Sequence, residues 1–529
     1  MMAQAVLIET APADVIVVGG GPAGCWAAWN ARASGASVIL IDKGYVGTSG
    51  AMAAGNNTTI DTVRGTAERE FTVNQRINRG LGLVRRPLVE SVLDKARTNL
   101  DLLAQWGYAF PIDEDGRPYR GMLRGPDCLR FMRQRLIKAG VRVIDHCPAE
   151  ELLLTRDGAV AGVRARYRNG RGLLEVRSAA VVLATGGCAF LSGAIGTNNL
   201  TGDGYLMGAE AGTTLASMEF SGQYGIAPSF SGVTKGIVYF WATFSDADGN
   251  EIVLPGDRQS VAKHLLNGPV FAILDKVSPR LQEGFRKGQP NIFVPFDRAG
   301  INPFSERFPI TLRHEGTVRG TGGIVIDERA ATNVPGLFAA GDAAAREGMS
   351  GATSGGGGPN ASWALATGSW AGEDAAAFAR HVGPHQASRP IQSIRARPTV
   401  DGRSRKAHIK AVIEQIKGET LPLDRGFFRS EESLSRNATK LETLWRDDAW
   451  RRPGDAYDAA RIREAEALIA TARWVTASAL LRRESRGVHR RTDAPTSDPA
   501  LTTRIVSGGL DTPWAAYDLA RDETVRAAS

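Results

Sequence analysis

Residues 14–42 hold the tightest constraint in the chain. Residues 14–18 (DVIVV) form a short apolar run of mostly β-branched residues, with the length and flanks of a buried parallel strand. Gly19, Gly21 and Gly24 follow at once in the spacing G-x-G-x-x-G. Residues 25–33 then read as helix, and residues 36–41 as a second strand ending in Asp42. Each piece has a physical use in holding a pyrophosphate. Gly19 permits the tight turn, Gly21 lets backbone N–H groups approach phosphate oxygens, and Gly24 lets the helix pack closely on the strand. The helix N-terminus adds its partial positive charge. Asp42, 18 residues past Gly24, is placed to accept from adenosine ribose hydroxyls and disfavours a 2′-phosphate. The glycine pattern alone is weak, but between two strands and with the acid at this distance it is strong. No second copy occurs, so one bound dinucleotide is expected.

The 61 glycines in 529 residues exceed the usual share of roughly 7%. They are clustered rather than periodic, which excludes collagen-like and linker architectures. Apolar residues at 43% and charged residues at 23% fit a folded globular chain. The length predicts two to four domains. No apolar run reaches the roughly 18 residues of a membrane span. The net charge is 64 − 56 = +8. It is spread out, and its densest stretch, 482–491, is broken by Glu484 and Gly487, so a nucleic-acid tract is not expected. A mildly basic surface can still attract an anionic substrate or an acidic partner. Cys25, Cys128, Cys147 and Cys188 share no close spacing. They predict reduced, buried thiols rather than a zinc or iron–sulfur site, and no metal is expected. The N-terminus lacks a basic n-region and a long apolar h-region, so no signal peptide and a cytoplasmic location are expected.

Later motifs separate FAD from NAD. Residues 179–185 (AAVVLAT) read as another buried strand ending at Gly186, residues 201–204 read TGDG, and residues 336–342 read GLFAAGD. A strand ending in Gly341-Asp342 puts a carboxylate beside the ribityl chain of FAD. The ordered set ATGG, TNNLTGDGYLMGAEAG, Met218-Glu219-Phe220, PGLFAAGDAA and RRESRGVHRRTDAP spans nearly the whole chain. It resembles the flavoprotein subunits of the succinate dehydrogenase and fumarate reductase superfamily, which includes L-aspartate oxidase and the flavin subunit of adenylylsulfate reductase.

The resemblance implies an α/β fold. A Rossmann-like FAD-binding domain in two segments (1–222 and 323–390) would carry an inserted α+β capping domain (223–322), with a helical C-terminal domain (391–529) to follow. Residue patterns agree. Residues 223–322 lose the α/β alternation and become aromatic and proline-bearing, and 405–485 carry long helical patterns, as at 459–481. Residues 390–405 read as a polar connector, and Asp157-Gly158 and Asn169-Gly170 mark a small β-meander. Beyond the fingerprint, the resemblance implies FAD contacts at Pro22, Ala23, Lys43, Thr48, Ser49, Gly50, Ala53 and Gly55. Ala149 and Glu150 would lie near adenine, with Ala184, Thr185, Gly186, Asn199, Asp203, Asn360 and Ser362 completing the set.

Departures from the family pattern are as informative. Many membrane-bound members carry a histidine in Ser-His-Thr-x-Ala-Ala that links covalently to flavin. Here the run is Ser49-Gly50-Ala51-Met52-Ala53-Ala54, so non-covalent FAD is expected. Tyr224 falls where fumarate reductases have a substrate-binding histidine. A second histidine is missing from residues 318–324, which carry Arg319, while His314 stands four residues before Val318. A carboxylate-binding arginine is replaced by Ser354, followed by the glycines at 355–358. Arg258 fits the family's proton-delivering arginine, although Gln259 replaces the usual Asp. Four candidate catalytic residues emerge. Arg258 would clamp an anion through its guanidinium fork. Arg319 would contact it near the flavin, Tyr224 would donate a hydrogen bond or proton, and His314 would act as a general acid. The glycine run suits close backbone approach to the flavin. The run Arg483–Arg491 reads as domain packing and ion pairing.

With three of four fumarate-type contacts missing, succinate, fumarate and aspartate are disfavoured, and the arrangement looks closer to the adenylylsulfate reductase branch. The expected activity is exchange of hydride or electrons between flavin N5 and a small anionic substrate under the cap. A first reading pairs the chain with a ferredoxin-like iron–sulfur protein. A second makes it a stand-alone oxidase using oxygen, and a third a flavin-bearing scaffold without turnover. Oligomerisation is left open.

Overall fold

The computed structural model describes residues 3–4, 7–9, 11–168, 172–253, 258–354, 356–383, 389–393, 399–400 and 405–519. The fingerprint strand Ala13–Val18 pairs in parallel with Val38–Ile41 on one side and with Leu173–Leu183 on the other. Arg142–Ile144 extends the first edge and Leu337–Ala339 the second. Their register is level at one end. Ile144 stands beside Ile41, Ile41 beside Val18, Val18 beside Leu183, and Leu183 beside Ala339. Five strands therefore stop in one row at their carboxyl ends, where an open α/β sheet takes its ligand. Val15, Ile16 and Val17 are wholly buried, each such side chain contributing about 1.5–3 kcal/mol.

The expected strand at 179–185 begins earlier, at Leu173. Its first half pairs antiparallel with Val160–Arg166, which pairs in turn with Ala149–Thr155. This is the meander signalled by Asp157-Gly158. The second signal, Asn169-Gly170, lies outside the described residues, as does much of the 390–405 connector. The first helix is Pro22–Ala33, three residues longer than its expected start at 25, because proline is tolerated in the first helical turn. It crosses the long helix Gly358–Val382 closely. A Cβ on Gly368 or Gly372 would meet Ala23 O at 2.3 Å or Ala27 O at 2.2 Å.

A separate antiparallel sheet follows in the order Tyr224–Pro228, Phe308–His314, Val270–Ile273, Thr243–Ser245. With helices Arg258–Asn267, Pro279–Gly288 and Pro290–Ala299 it encloses its own core around Phe293, Phe296 and Phe308. This cap is tied to the loop at 54–56. Asn291 Nδ2 donates to Ala54 O at 3.2 Å, Lys235 Nζ to Asn56 O at 2.8 Å, and Asn56 Nδ2 to Gly288 O. The C-terminal part has the helices Lys406–Thr420, Glu431–Arg446 and Ala456–Leu481. It also has strands that the helical expectation does not include. Ile505–Gly508 and Trp514–Tyr517 form a hairpin that joins Leu215–Ala216 and Gly323–Ile324 in a small sheet.

All four cysteines are free and buried, and burial pushes the Cys188 thiol up to about 12. Among the described residues no group of three His, Cys, Asp or Glu could hold a metal. Among them, too, no helix is long and apolar enough to cross a membrane.

Candidate active site

The row of strand ends opens into a groove of about 860 Å³ counting its mouth. Gly19 adopts φ +103°, and a Cβ there would lie 2.3 Å from Ala184 O. A Cβ on Gly24 would lie 1.7 Å from Gly19 O, so this glycine is required for the helix to meet the strand. Gly21 is different. A Cβ there would meet nothing within 4 Å, so its backbone faces the open groove at the helix N-terminus. Asp42 is buried and fastens the surrounding loops. Its Oδ2 accepts from Gly20 N at 2.6 Å, and its Oδ1 from Gly44 N at 2.7 Å and Ser49 Oγ at 2.8 Å. About four lone-pair sites are available on a carboxylate, which leaves room for a ribose hydroxyl. An open phosphate approach, a helix N-terminus behind it and a partly free acid fit FAD.

Sixteen of the expected cofactor residues line this groove: Gly19, Gly21, Pro22, Ala23, Asp42, Lys43, Ser49, Gly50, Ala149, Ala184, Thr185, Gly186, Asn199, Asp203, Gly341 and Asp342. Seven do not. Gly24 packs the helix, and Ala53 sits in the short turn Met52–Ala54. Gly55 lies under Asn291, whose Nδ2 would be 2.6 Å from a Cβ there. Thr48 Oγ1 bonds back to Tyr45 O at 3.4 Å. Glu150 is paired with Arg166 at 2.5 Å, and Ser362 Oγ accepts from Ile60 N at 3.2 Å. Asn360 lines the neighbouring cavity. Two residues on the groove wall have their charges committed inside the protein. Lys43 Nζ reaches Thr201 Oγ1 at 2.7 Å, Asp203 Oδ2 at 2.8 Å and Glu464 Oε1 at 3.1 Å.

A second cavity, about 1490 Å³ counting its mouth, adjoins the groove through Pro22, Ala51, Met52 and Ala364. Thr234, Lys235, Phe240 and Arg258 line it together with Glu315, Arg319, Ser354 and the first turn of Gly358–Val382. That turn presents Gly357, φ +84°, and Asn360, while Gly355 lies outside the described residues. Arg319 is well supported. Its carbonyl accepts from Ser354 Oγ at 3.2 Å, and Arg346 Nη2 donates to the carbonyls of Thr317, Val318 and Gly320 around it. Glu315 Oε1 lies 3.8 Å from Arg319 Nη1 and accepts from Thr234 Oγ1 at 2.7 Å. Lys235 is half-buried, and burial with the nearby Arg319 pushes its amine down to about 8 against the pull of Glu315. Asp342, at the groove, is raised by burial and opposed by Arg346, whose Nη1 lies 3.1 Å away.

Comparison with known proteins agrees with this geometry. The FAD binding domain family matches residues 14–223, and the fumarate reductase flavoprotein C-terminal family matches residues 418–524. The chain belongs to the succinate dehydrogenase and fumarate reductase flavoprotein superfamily. It is an FAD-dependent oxidoreductase. A CoM/CoB fumarate reductase chain of Methanothermobacter marburgensis is 26% identical, over 93% of this chain and 96% of its own. L-aspartate oxidase of Mycobacterium tuberculosis is 29% identical, over 94% and 96%. Among solved structures, an E. coli quinol fumarate reductase chain superposes with a TM-score of 0.79 at 22% identity, covering 97% of this chain and 96% of that one. Adenylylsulfate reductase of Archaeoglobus fulgidus gives 0.77 at 18%, covering 98% and 97%.

Within this flavoprotein, two of the four expected catalytic residues line the cavity, Arg258 and Arg319. Tyr224 and His314 line neither the groove nor the cavity. They are paired across the cap sheet, and their rings meet edge-on at 4.7 Å. Tyr224 is buried against Phe427 and donates to Leu421 O at 3.0 Å. His314 is buried against Phe190, and burial with Arg429 drives its pKa down to about 3. Their enclosure away from both the groove and the cavity is at odds with the expected roles of general acid and proton donor. Lys235 lines the cavity although the motifs do not point to it. Its signal in the sequence is isolation, since no other Lys or Arg occurs between Arg177 and Arg258. The C-terminal run is largely buried structure, with Arg483 exposed. Arg482 Nε meets Glu219 Oε1 at 2.8 Å with both side chains fully buried, Glu484 bridges Arg482 and Arg486, and Arg429 Nη1 lies 3.0 Å from His489 Nδ1.

Proposed function

We propose that this flavoprotein exchanges a hydride or electron pair with a small anionic substrate held beneath the cap by Lys235, Arg258 and Arg319. The observation that carries the reading is the convergence of three cations on one cavity beside the FAD groove, against one carboxylate, Glu315, already engaged by Thr234. Bound FAD supplies two-electron chemistry that side chains lack. The chain supplies the rest. Arg319 and Arg258 each offer a planar fork for an oxyanion. Lys235 can hold or release a proton at Nζ near neutral pH. The N-terminal turn of Gly358–Val382 adds a favourable field for negative charge. The relatives are named for fumarate, aspartate and adenylylsulfate, all anions.

FAD is held without a covalent link in this reading. Gly50 has no nucleophile, and a Cβ there would have nothing within 4 Å. Acid precipitation should leave the yellow colour in the supernatant. In this reading the electron partner is a separate ferredoxin-like iron–sulfur protein, which would complement a chain whose 529 residues hold neither a second dinucleotide fingerprint nor a cysteine cluster. The deciding experiment is a screen of carboxylates, sulfonates and phosphates for perturbation of the flavin spectrum. Binding that weakens at least tenfold in Arg319→Gln and Lys235→Met is expected. Unaltered binding in both variants would refute the site.

A further inference from the structure

Resting on that reading, we infer that the substrate is an anion with a flat apolar tail, its head among Lys235, Arg258 and Arg319 and its tail over Phe240 in a second cleft of the cap. The cleft holds about 1590 Å³ counting its mouth, and it shares Gly236, Phe240 and Arg258 with the head cavity. The two spaces therefore abut at one phenylalanine and one arginine. A bare carboxylate or sulfonate would occupy the first and leave the second to solvent.

Phe240 itself is the second observation. It lies on the short helical turn Gly236–Trp241, five residues after Lys235, and is 76% exposed. Its neighbours Val238 and Tyr239 are buried. The turn is thus anchored while one large apolar ring is held out at the junction of the two spaces. Leaving such a ring in water forgoes its burial, and a ring stacked on it recovers that area and adds an aromatic contact. The cleft wall beyond is apolar at Tyr239, Phe244 and Ile252, with Glu251, Lys276 and Arg490 as its charged residues, two cations against one carboxylate. Arg258, common to both spaces, can pair with the head or cover the tail.

The test uses the full-length holoprotein and three sulfonates of increasing flat area: methanesulfonate, benzenesulfonate and naphthalene-2-sulfonate. Dissociation constants are read from flavin absorbance under anaerobic conditions, independently of turnover. The naphthyl compound should bind at least tenfold more tightly than the methyl compound. In Phe240→Ala that ratio should fall toward one, and in Phe240→Leu it should be intermediate. Arg319→Gln should weaken all three and preserve the ratio. A wild-type ratio near one, as expected if Phe240 serves a protein contact instead, overturns the tail. So does a ratio that survives Phe240→Ala. If no sulfonate perturbs the flavin, the anion site itself fails and the tail with it.

Discussion

A lysine enclosed beside an arginine cannot keep its ordinary proton affinity. Lys235 stands at about 8 instead of 10.5, so it is an ammonium below that pH and an amine above it. Anion affinity should be highest below pH 8 and fall several-fold as the pH rises through it. Lys235→Met should flatten the profile, and Lys235→Arg should carry the plateau past pH 10, since a guanidinium stays charged. Titration of methanesulfonate from pH 6 to 10 checks this, and a profile unchanged in Lys235→Met would count against it. His314 makes a prediction of opposite use. Its native pKa of about 3 lies below the ordinary 6.5, so below pH 6.5 the unfolded chain takes a proton that the native state refuses. Stability is therefore lost as pH falls from 6.5 towards 3. By pH 4 this amounts to about 3 kcal/mol. His314→Phe should lose that much less stability than the parent between pH 7 and 4 in urea unfolding. Its anion binding should keep the parent pH profile, because His314 lines neither cavity.

Within single elements, the sequence is legible where local contacts dictate the residue. Gly24 is needed because Gly19 O is 1.7 Å from where its Cβ would stand, and Gly21 because the groove opens beside it. Both constraints arise within one strand–turn–helix unit. The two glycines should fail differently. Gly24→Ala forces backbone against backbone and should yield little folded protein. Gly21→Ala meets nothing of the protein within 4 Å, so the apoprotein should melt near the parent temperature while FAD affinity drops at least tenfold. Flavin content after gel filtration and apoprotein melting separate the two, and equal damage to folding would be contrary to this account. Legibility ends where a residue's role depends on a distant return of the chain. Arg346 holds the turn 317–320 that carries Arg319, and nothing near residue 346 announces it. Tyr224 and His314 stand out in the sequence only by their position along a family motif. Strand register instead pairs them with each other and turns their rings toward Phe427 and Phe190.

For the whole molecule the question is where electrons enter and leave. The FAD groove lies at the strand ends, the cap closes over the adjoining cavity through Lys235, Asn291 and Asn56, and the chain carries a net charge of +8. A basic flavoprotein attracts an acidic electron carrier over roughly one Debye length, about 8–10 Å at 0.1–0.15 M salt. Reduction by an acidic ferredoxin should therefore slow several-fold between 50 and 500 mM salt, whereas reaction with neutral oxygen should hardly change. Anaerobic reduction followed by mixing with air provides the companion measurement. Reoxidation over minutes with little peroxide agrees with a protein partner. Reoxidation within a second, with one peroxide per flavin and no salt dependence, would establish the oxidase reading in its place. Failure of any anion in the spectral screen to perturb the flavin, together with inert behaviour in both electron assays, would leave the scaffold reading.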